Sequence, residues 1–517
     1  MTAVAATALA TGTATAFTST GPSSSTAPYV LPSADGVHIT SLLTVGDKVG
    51  MNNYKMVGIP DGLGAYKQHG DQVVFMNHEL RESAGIVRRH GQKGAFVSRL
   101  VLDRKTGKVK AGSDLINPGV KYWDYQTDMY ATKPGAPVNV TTDPVTGAPV
   151  GHTLAFSRFC SGALTEKGQL KHDGVGYDGQ IYFANEESGD EGRAFGVTTA
   201  GDAYQLPRLG LFSWENTLAA DNDSHTTLVM GNEDGRDGQL RAYVGKKQKD
   251  GSPVDQAGLT NGRLNVIKVT GVADASSSVA YGKNMPKPFT LAEIDYDKSG
   301  KDQNIEAAAK GTKFNRIEDG HFDPENPNDY YFLTTEGGDK TPDPTELTNK
   351  VRDGGGLWRM TYKNIDKPEL GGTLTLLLDG TEAPYLNKPD NMAIDQEGHL
   401  LIQEDPGNNA HLARILSYRI DEGDLKSIAQ FDKALFSKPS IQGVPGTNAA
   451  PMTIDEESSG IIEVREGEFL FDAQVHNSSG DPETVELGQL LKMTVDFDAV
   501  YGEDDEHDDD EDDNSKS

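Results

Sequence analysis

The sequence predicts an all-β protein: a six-bladed β-propeller with peripheral loops and few short helices. Two observations carry that reading. Apolar runs ending in a carboxylate or amide and then a turn recur six times: DQVVFMNHE (71–79), GQIYFANEE (179–187), TTLVMGNED (226–234), DYYFLTTEGG (329–338), HLLIQEDPG (399–407) and EFLFDAQVH (468–476). Helical periodicity is scarce, with NIEAAAKG (304–311) the best helical stretch. A strand-rich unit repeated six times argues a radial repeat around a central channel.

Each run follows a second short segment with a polar residue at comparable phase: GIPDGLGAY, SRFCSGALT, FSWENTLAA, NRIEDGHFD, NKPDNMAID and IDEESSGIIE. In register, these place Asp61, Cys160, Glu215, Glu318, Asp390 and Glu457 in one column. Eighteen residues separate Asp61 from Glu79, Glu215 from Glu233 and Glu318 from Glu336, while Asp390 to Glu404 spans 14 and Cys160 to Glu186 spans 26. Such spacings suit a strand, a turn and the next strand. GGGLWRMTY (354–362), LARILSYRI (412–420) and GQLLKMTVD (488–496) supply further strands. Innermost propeller strands aim their ends at one axis, so a column of acids becomes a ring. Aspartate also favours turns, but glutamate does not, and the column is rich in glutamate.

Composition limits the partners. The 517 residues carry 48 Lys+Arg against 78 Asp+Glu, a formal charge of -30, which repels polyanions and argues against nucleic acid. No run of eighteen apolar residues could span a bilayer as a helix. Residues 1–27, small and rich in Ala and Thr, read as a flexible N-terminus or the remnant of an export signal, so the expected location is secreted or periplasmic. Residues 28–500 read as one propeller domain, and 501–517 as a solvated acidic tail.

Converging carboxylates cannot all stay ionised without a counter-charge, and Lys and Arg are sparse in these segments. The exceptions are Arg158, Arg316 and Lys388, each two residues before a column position. Multivalent cations resolve the repulsion. Cys160 is the single cysteine, so it closes no disulfide within the chain, and elsewhere it would read as a small buried hydrophobe. In a carboxylate column it becomes a soft ligand, which argues for iron or zinc, while the all-oxygen remainder suits calcium. DYDKSGKDQNIE (295–306) matches an EF-hand loop, with Asp295, Asp297, Ser299, Gly300, the Lys301 carbonyl and Glu306 at positions 1, 3, 5, 6, 7 and 12. Asp302 departs from the pattern at position 8, and both a calcium loop and an ordinary acidic loop remain open. GxSxG, HExxH and Walker signatures are absent, and His78 in NHEL reads as a structural hydrogen-bonding residue.

These segments resemble the PhoX family of bacterial secreted alkaline phosphatases. The resemblance rests on NHE (77–79), CSGA (160–163) followed by NEE (185–187), RIEDGHFDP (316–324), PDNMAID (389–395) and their order, and it covers roughly residues 40–495. It implies a six-bladed propeller that hydrolyses phosphate monoesters with a pair of ferric ions (Fe3+) and several calcium ions (Ca2+) in its channel. The iron ligands would fall on Cys160, Glu215, Glu318 and Asp390, with Arg316 contacting phosphate. The calcium ligands would come from Glu79, Glu186, Glu187, Glu233 and Asp234. The twin-arginine export signal is absent, and an insert at 165–180 separates the cysteine segment from NEE. Two alternatives stand beside this reading: a single-calcium propeller hydrolase acting on lactones, and a non-catalytic extracellular module whose calcium locks the blades. Neither needs the thiolate.

Overall fold

The computed structural model describes residues 15–336, 354–407, 411–438 and 446–502. The acidic tail from residue 503 and the first fourteen residues lie outside them. Six strands begin the repeating units: β1 (Pro60–Gln68), β2 (Phe159–Leu164), β3 (Trp214–Ala219), β4 (Ile317–Phe322), β5 (Pro389–Ile394) and β6 (Glu456–Arg465). Each packs beside the next, and β6 returns to β1, so the six close a circuit around a channel. The second strand of each unit pairs antiparallel with the first. Asp71–His78 and Ile181–Glu186 are buried almost throughout, because both faces are covered; this explains the continuous apolar runs.

The expectation of six separate blades is corrected by the strand order. Four sheets of four or five strands stand separately, built on β1, β2, β5 and β6. The units of β3 and β4 instead form one nine-stranded sheet. The seam is Lys287–Ile294, which pairs with Arg263–Val269 on one side and, through Lys287, Pro288 and Phe289, with Gly372–Leu378 on the other. The end strands β3 and β4 touch, so this sheet curls nearly to closure around a single apolar cluster that includes Met230, Phe289, Phe332 and Trp358. An edge strand in a propeller would ordinarily be left to solvent; here the extra strand joins two edges and removes both.

The N-terminal residues complete the last sheets. Val37–Thr44 pairs with Glu486–Val495, and Val30–Pro32 pairs with Asp424–Phe431. Within the segment expected to be flexible, Phe17–Thr20 lies parallel to Val37–Thr44. Four short α-helices occur among the described residues: Pro253–Gln256, Ser278–Tyr281, Gly300–Lys310 and Phe497–Tyr501. No described helix is long and apolar enough to cross a membrane.

Candidate metal centre

The column read from the sequence is real in space. Asp61, Cys160, Glu215, Glu318, Asp390 and Glu457 each occupy the second position of β1 to β6. In five of the six strands the ladder is interrupted just there, between Pro60 and Leu63, Phe159 and Gly162, Trp214 and Thr217, Ile317 and Gly320, and Pro389 and Met392. A bulge re-aims a side chain, and here the repeated bulges turn the column toward the axis. Glycine is required beside them: a Cβ on Gly62 would lie 2.2 Å from the Gly162 nitrogen, and one on Gly320 would lie 2.2 Å from the Tyr330 hydroxyl.

The residue before four of these strands is a non-glycine in the left-handed region: Ile59 (φ 48°), Arg158 (49°), Arg316 (43°) and Lys388 (48°). Such conformations cost about 1–3 kcal/mol each and persist where the surroundings fix them. The fixing bonds repeat. The carbonyls of Ile59, Arg158, Arg316 and Lys388 accept from the backbone N–H of Glu79, Glu187, Thr335 and Asp405 at 2.9–3.0 Å. The kinks place two guanidinium groups against the acids at the ends of the second strands. Arg158 Nη2 lies 2.6 Å from Glu79 Oε1 and also pairs with Glu187. Arg316 grips Asp234 through two nitrogens, at 2.8 and 3.0 Å, and reaches Glu318 Oε1 at 3.1 Å.

Ligand atoms converge in three overlapping groups, each within 4.8 Å: Asp61, Glu79 and Cys160; Cys160, Glu187 and Glu215; and Glu215, Glu318 and Asp390. Cys160 Sγ stands 3.5 Å from Asp61 Oδ2 and 3.3 Å from Glu215 Oε2. Burial, the largest cause, pushes the carboxyls of Asp61, Glu187, Glu215, Glu318 and Asp390 well above their ordinary range. Neighbouring acids add to it; Arg158 opposes it at Glu187 and Arg316 at Glu318. Glu457 is raised to about 7 by burial and then by Asp405. The Cys160 thiol is pushed up by burial, then by Asp61 and Glu215. A set of buried oxygens around one sulfur, short of positive charge, has the chemistry of a site for multivalent cations. These residues fit the metals that the sequence reading implies.

The structure sorts the remaining predicted ligands. Glu79, Glu187 and Asp234 face the ring through Arg158 and Arg316. Glu186 and Glu233 point the other way: Glu186 takes Arg193 at 2.7 and 2.8 Å, and Glu233 takes Arg241 at 3.1 Å. Glu404 repeats the arrangement with Arg414. Successive strand residues face opposite sides, so in EE, ED and ED only the second acid reaches the ring. The sequence signal was the arginine seven to ten residues further on. Asp405, absent from the predicted set, sits at the equivalent position and acts on Glu318, Asp390 and Glu457.

Asp295, Asp297 and Glu306 are not gathered into a calcium loop. Ser299 caps a helix that starts at Gly300, and Glu306 on that helix takes Lys298 and Lys310, each at 2.6 Å. His78 Nδ1 donates to the Gly58 carbonyl and Nε2 accepts from Ser98 Oγ; the ring is stacked on Phe96 and its pKa is lowered to about 3 by burial, the behaviour of a neutral structural imidazole.

Beneath the ring lies a hydrogen-bonded floor made by the third residue of the inner strands. Asn391 Nδ2 donates to Ser161 Oγ at 2.6 Å, and Ser161 donates to Glu215 Oε1 at 2.6 Å. Asn216 Nδ2 donates to Asp319 Oδ1 at 2.5 Å. On the far side a cavity of about 1050 Å³ opens between walls that include Leu63, Ala163, Met392 and Ile461. The floor separates that cavity from the acids.

Comparison with known proteins places this geometry. The profile of the family described as alkaline phosphatase PhoX matches residues 179–448, just over half of the chain. No curated protein matches the sequence. Among solved structures, Pseudomonas fluorescens PhoX, in complex with vanadate, a transition state analogue, is 12% identical with a TM-score of 0.61, over 91% of this chain and 97% of that one. At that identity the likeness is one of fold. A luciferin-regenerating enzyme (9% identity, TM-score 0.32, 86% and 94% covered) and a Coprinopsis cinerea GH62 α-L-arabinofuranosidase catalytic domain (10%, 0.33, 90% and 98%) align too loosely to inform the site.

Proposed function

The chain belongs to the PhoX family of alkaline phosphatases, and from that premise we propose that it is an exported, metal-dependent phosphoric monoester hydrolase whose acid ring holds iron and calcium. The observation that carries the reading is the overlap of three ligand groups on Cys160 and Glu215. Cys160, Glu215, Glu318 and Asp390 would hold iron, the sulfur supplying the soft donor. Glu79, Glu187, Asp234 and Asp405 would hold calcium through oxygen. Bound there, multivalent cations supply Lewis acidity for in-line displacement at phosphorus.

The chain's own residues do the rest. At a charge of -30 the protein repels a phosphate dianion, and Arg316 and Arg158 supply fixed positive charge at the rim of the ring. The Arg316 fork matches two phosphate oxygens, and its backbone kink and the Asp234 pair aim it before substrate arrives. The Ser161–Asn391 pair orients Glu215 from below, and the floor restricts approach to the ring side. A lactone hydrolase or a binding module has no use for the thiol in the ring.

Chelator tests this on fold and activity together. Excess chelator is expected to abolish hydrolysis of p-nitrophenyl phosphate and to lower the melting temperature, since ligand binding to the native state alone stabilises it. The fall should be larger at pH 8 than at pH 5. Carboxyls whose folded pKa lies above the unfolded value lose stability as pH rises from about 4 through the folded value, which is about 7 at Glu457. Activity and melting temperature that both ignore prolonged chelation would leave the acids as buried, protonated groups with no metal to hold.

A further inference from the structure

One second strand departs from its five counterparts. Aligned on Asn77, Asn185, Asn232, Leu333, Gln403 and Gln474, the six strands carry, two residues earlier, Phe75, Phe183, Met230, Tyr331, Leu401 and then Asp472. The first five, aromatic or aliphatic, are buried, each in a cluster shared with the following inner strand's sheet. Asp472 is equally buried, at 0% exposure, and next to it on the same strand face Leu470 belongs to the cluster of Leu63 and Met76.

Neither carboxylate oxygen of Asp472 has a hydrogen-bond partner among the described residues, and neither has Gln474 Oε1. Gln474 is also fully buried, and its Nε2 donates to Asp61 Oδ2 at 2.9 Å, so the amide orientation is set and its oxygen is left over. Asp472 and Gln474 are two residues apart on one strand and therefore share a face. The charged groups that act on Asp472 are Asp61 and Glu457, both acids. Buried polar atoms in native proteins are paired, and an unpaired buried carboxylate beside two others is the least favourable arrangement of all.

We infer that Asp472 anchors a buried cation site separate from the acid ring, in which a hard divalent cation, calcium by its donor chemistry, is held by both Asp472 oxygens and the Gln474 amide oxygen. The donors are all oxygen, from a carboxylate and an amide carbonyl, with no nitrogen or sulfur to recruit a softer metal. One ion satisfies three orphaned acceptors and offsets the charge shared with Asp61. The site would lock the sheet of β6 to that of β1, where the chain's circuit closes.

Calcium alone is the probe. The full chain, stripped with chelator and dialysed against Ca2+, is compared with Asp472→Asn and with Asp472→Leu, the apolar type found on the other strands, by counting bound calcium and recording melting curves in calcium and in chelator. Both variants are expected to lose one bound calcium per chain and to melt below wild type in calcium. In chelator they should melt at or above wild type, which then carries the bare carboxylate. This reversal of sign needs no enzymatic activity, so it stands or falls apart from the phosphatase reading. An unchanged calcium count, with Asp472→Asn as stable as wild type or more so in both conditions, overturns the site and makes Asp472 a neutral acid. If the leucine does not pack, the asparagine, equal in volume, decides alone.

Discussion

Cys160→Ala is expected to fold, to retain calcium, and to lose iron together with nearly all phosphate monoester hydrolysis. The thiol is the one soft donor in a ring of oxygens, shared by two of the three ligand groups and within 3.5 Å of Asp61 and Glu215. Glu318→Gln is the matched comparison: it stands at the same strand position in β4, removes one negative ligand and barely changes volume. The two variants should share one phenotype, folded, calcium-bound, iron-poor and inactive. An inert packing thiol would behave differently, with Cys160→Ala opening only a small cavity and Cys160→Ser doing worse by burying a hydroxyl. Metal content and turnover of both purified variants check this. An active, iron-replete Cys160→Ala protein would return the residue to packing.

Arg316→Lys is expected to keep the fold and lower kcat/KM by roughly a hundredfold, the range seen when one preorganised donor to a developing charge is lost. Lysine keeps the charge but not the fork. In the native geometry the fork is shared between Asp234 and Glu318, whose charge, Glu318 first, raises the guanidinium further above its ordinary value despite opposing burial. A single ammonium cannot span both acids and a phosphate. Kinetics with several monoesters measure the effect, and unchanged values would remove Arg316 from the site.

The ring was legible in the sequence because two periodicities coincide. The second strands are buried on both faces and announce themselves as apolar runs, and the first strands all carry a carboxylate or the thiol at one phase, down to Glu457. What lay between was not legible. Lys287–Ile294 is an ordinary amphipathic strand whose pairing with two neighbours is decided by tertiary proximity, so the fusion of two units into nine strands left no local trace. Glu186 and Glu233 look like Glu187 and Asp234 in the sequence, because adjacent acids are alike until strand alternation and the arginines Arg193 and Arg241 divide them. In the 295–306 loop, the lysine at 298 and the capping serine at 299 outweighed the EF-hand spacing, and a helix started inside the loop. The kinks at Ile59, Arg158, Arg316 and Lys388 have no sequence signature, since none of these residue types favours a left-handed backbone.

The central claim is that a sulfur-bearing ring of buried acids holds two kinds of metal for phosphoryl chemistry. Elemental analysis of the purified full-length protein tests it most directly. Iron together with calcium, both bound tightly enough to survive gel filtration, is the expected result. Calcium alone, or no metal at all, in protein that still hydrolyses phosphate monoesters would contradict it.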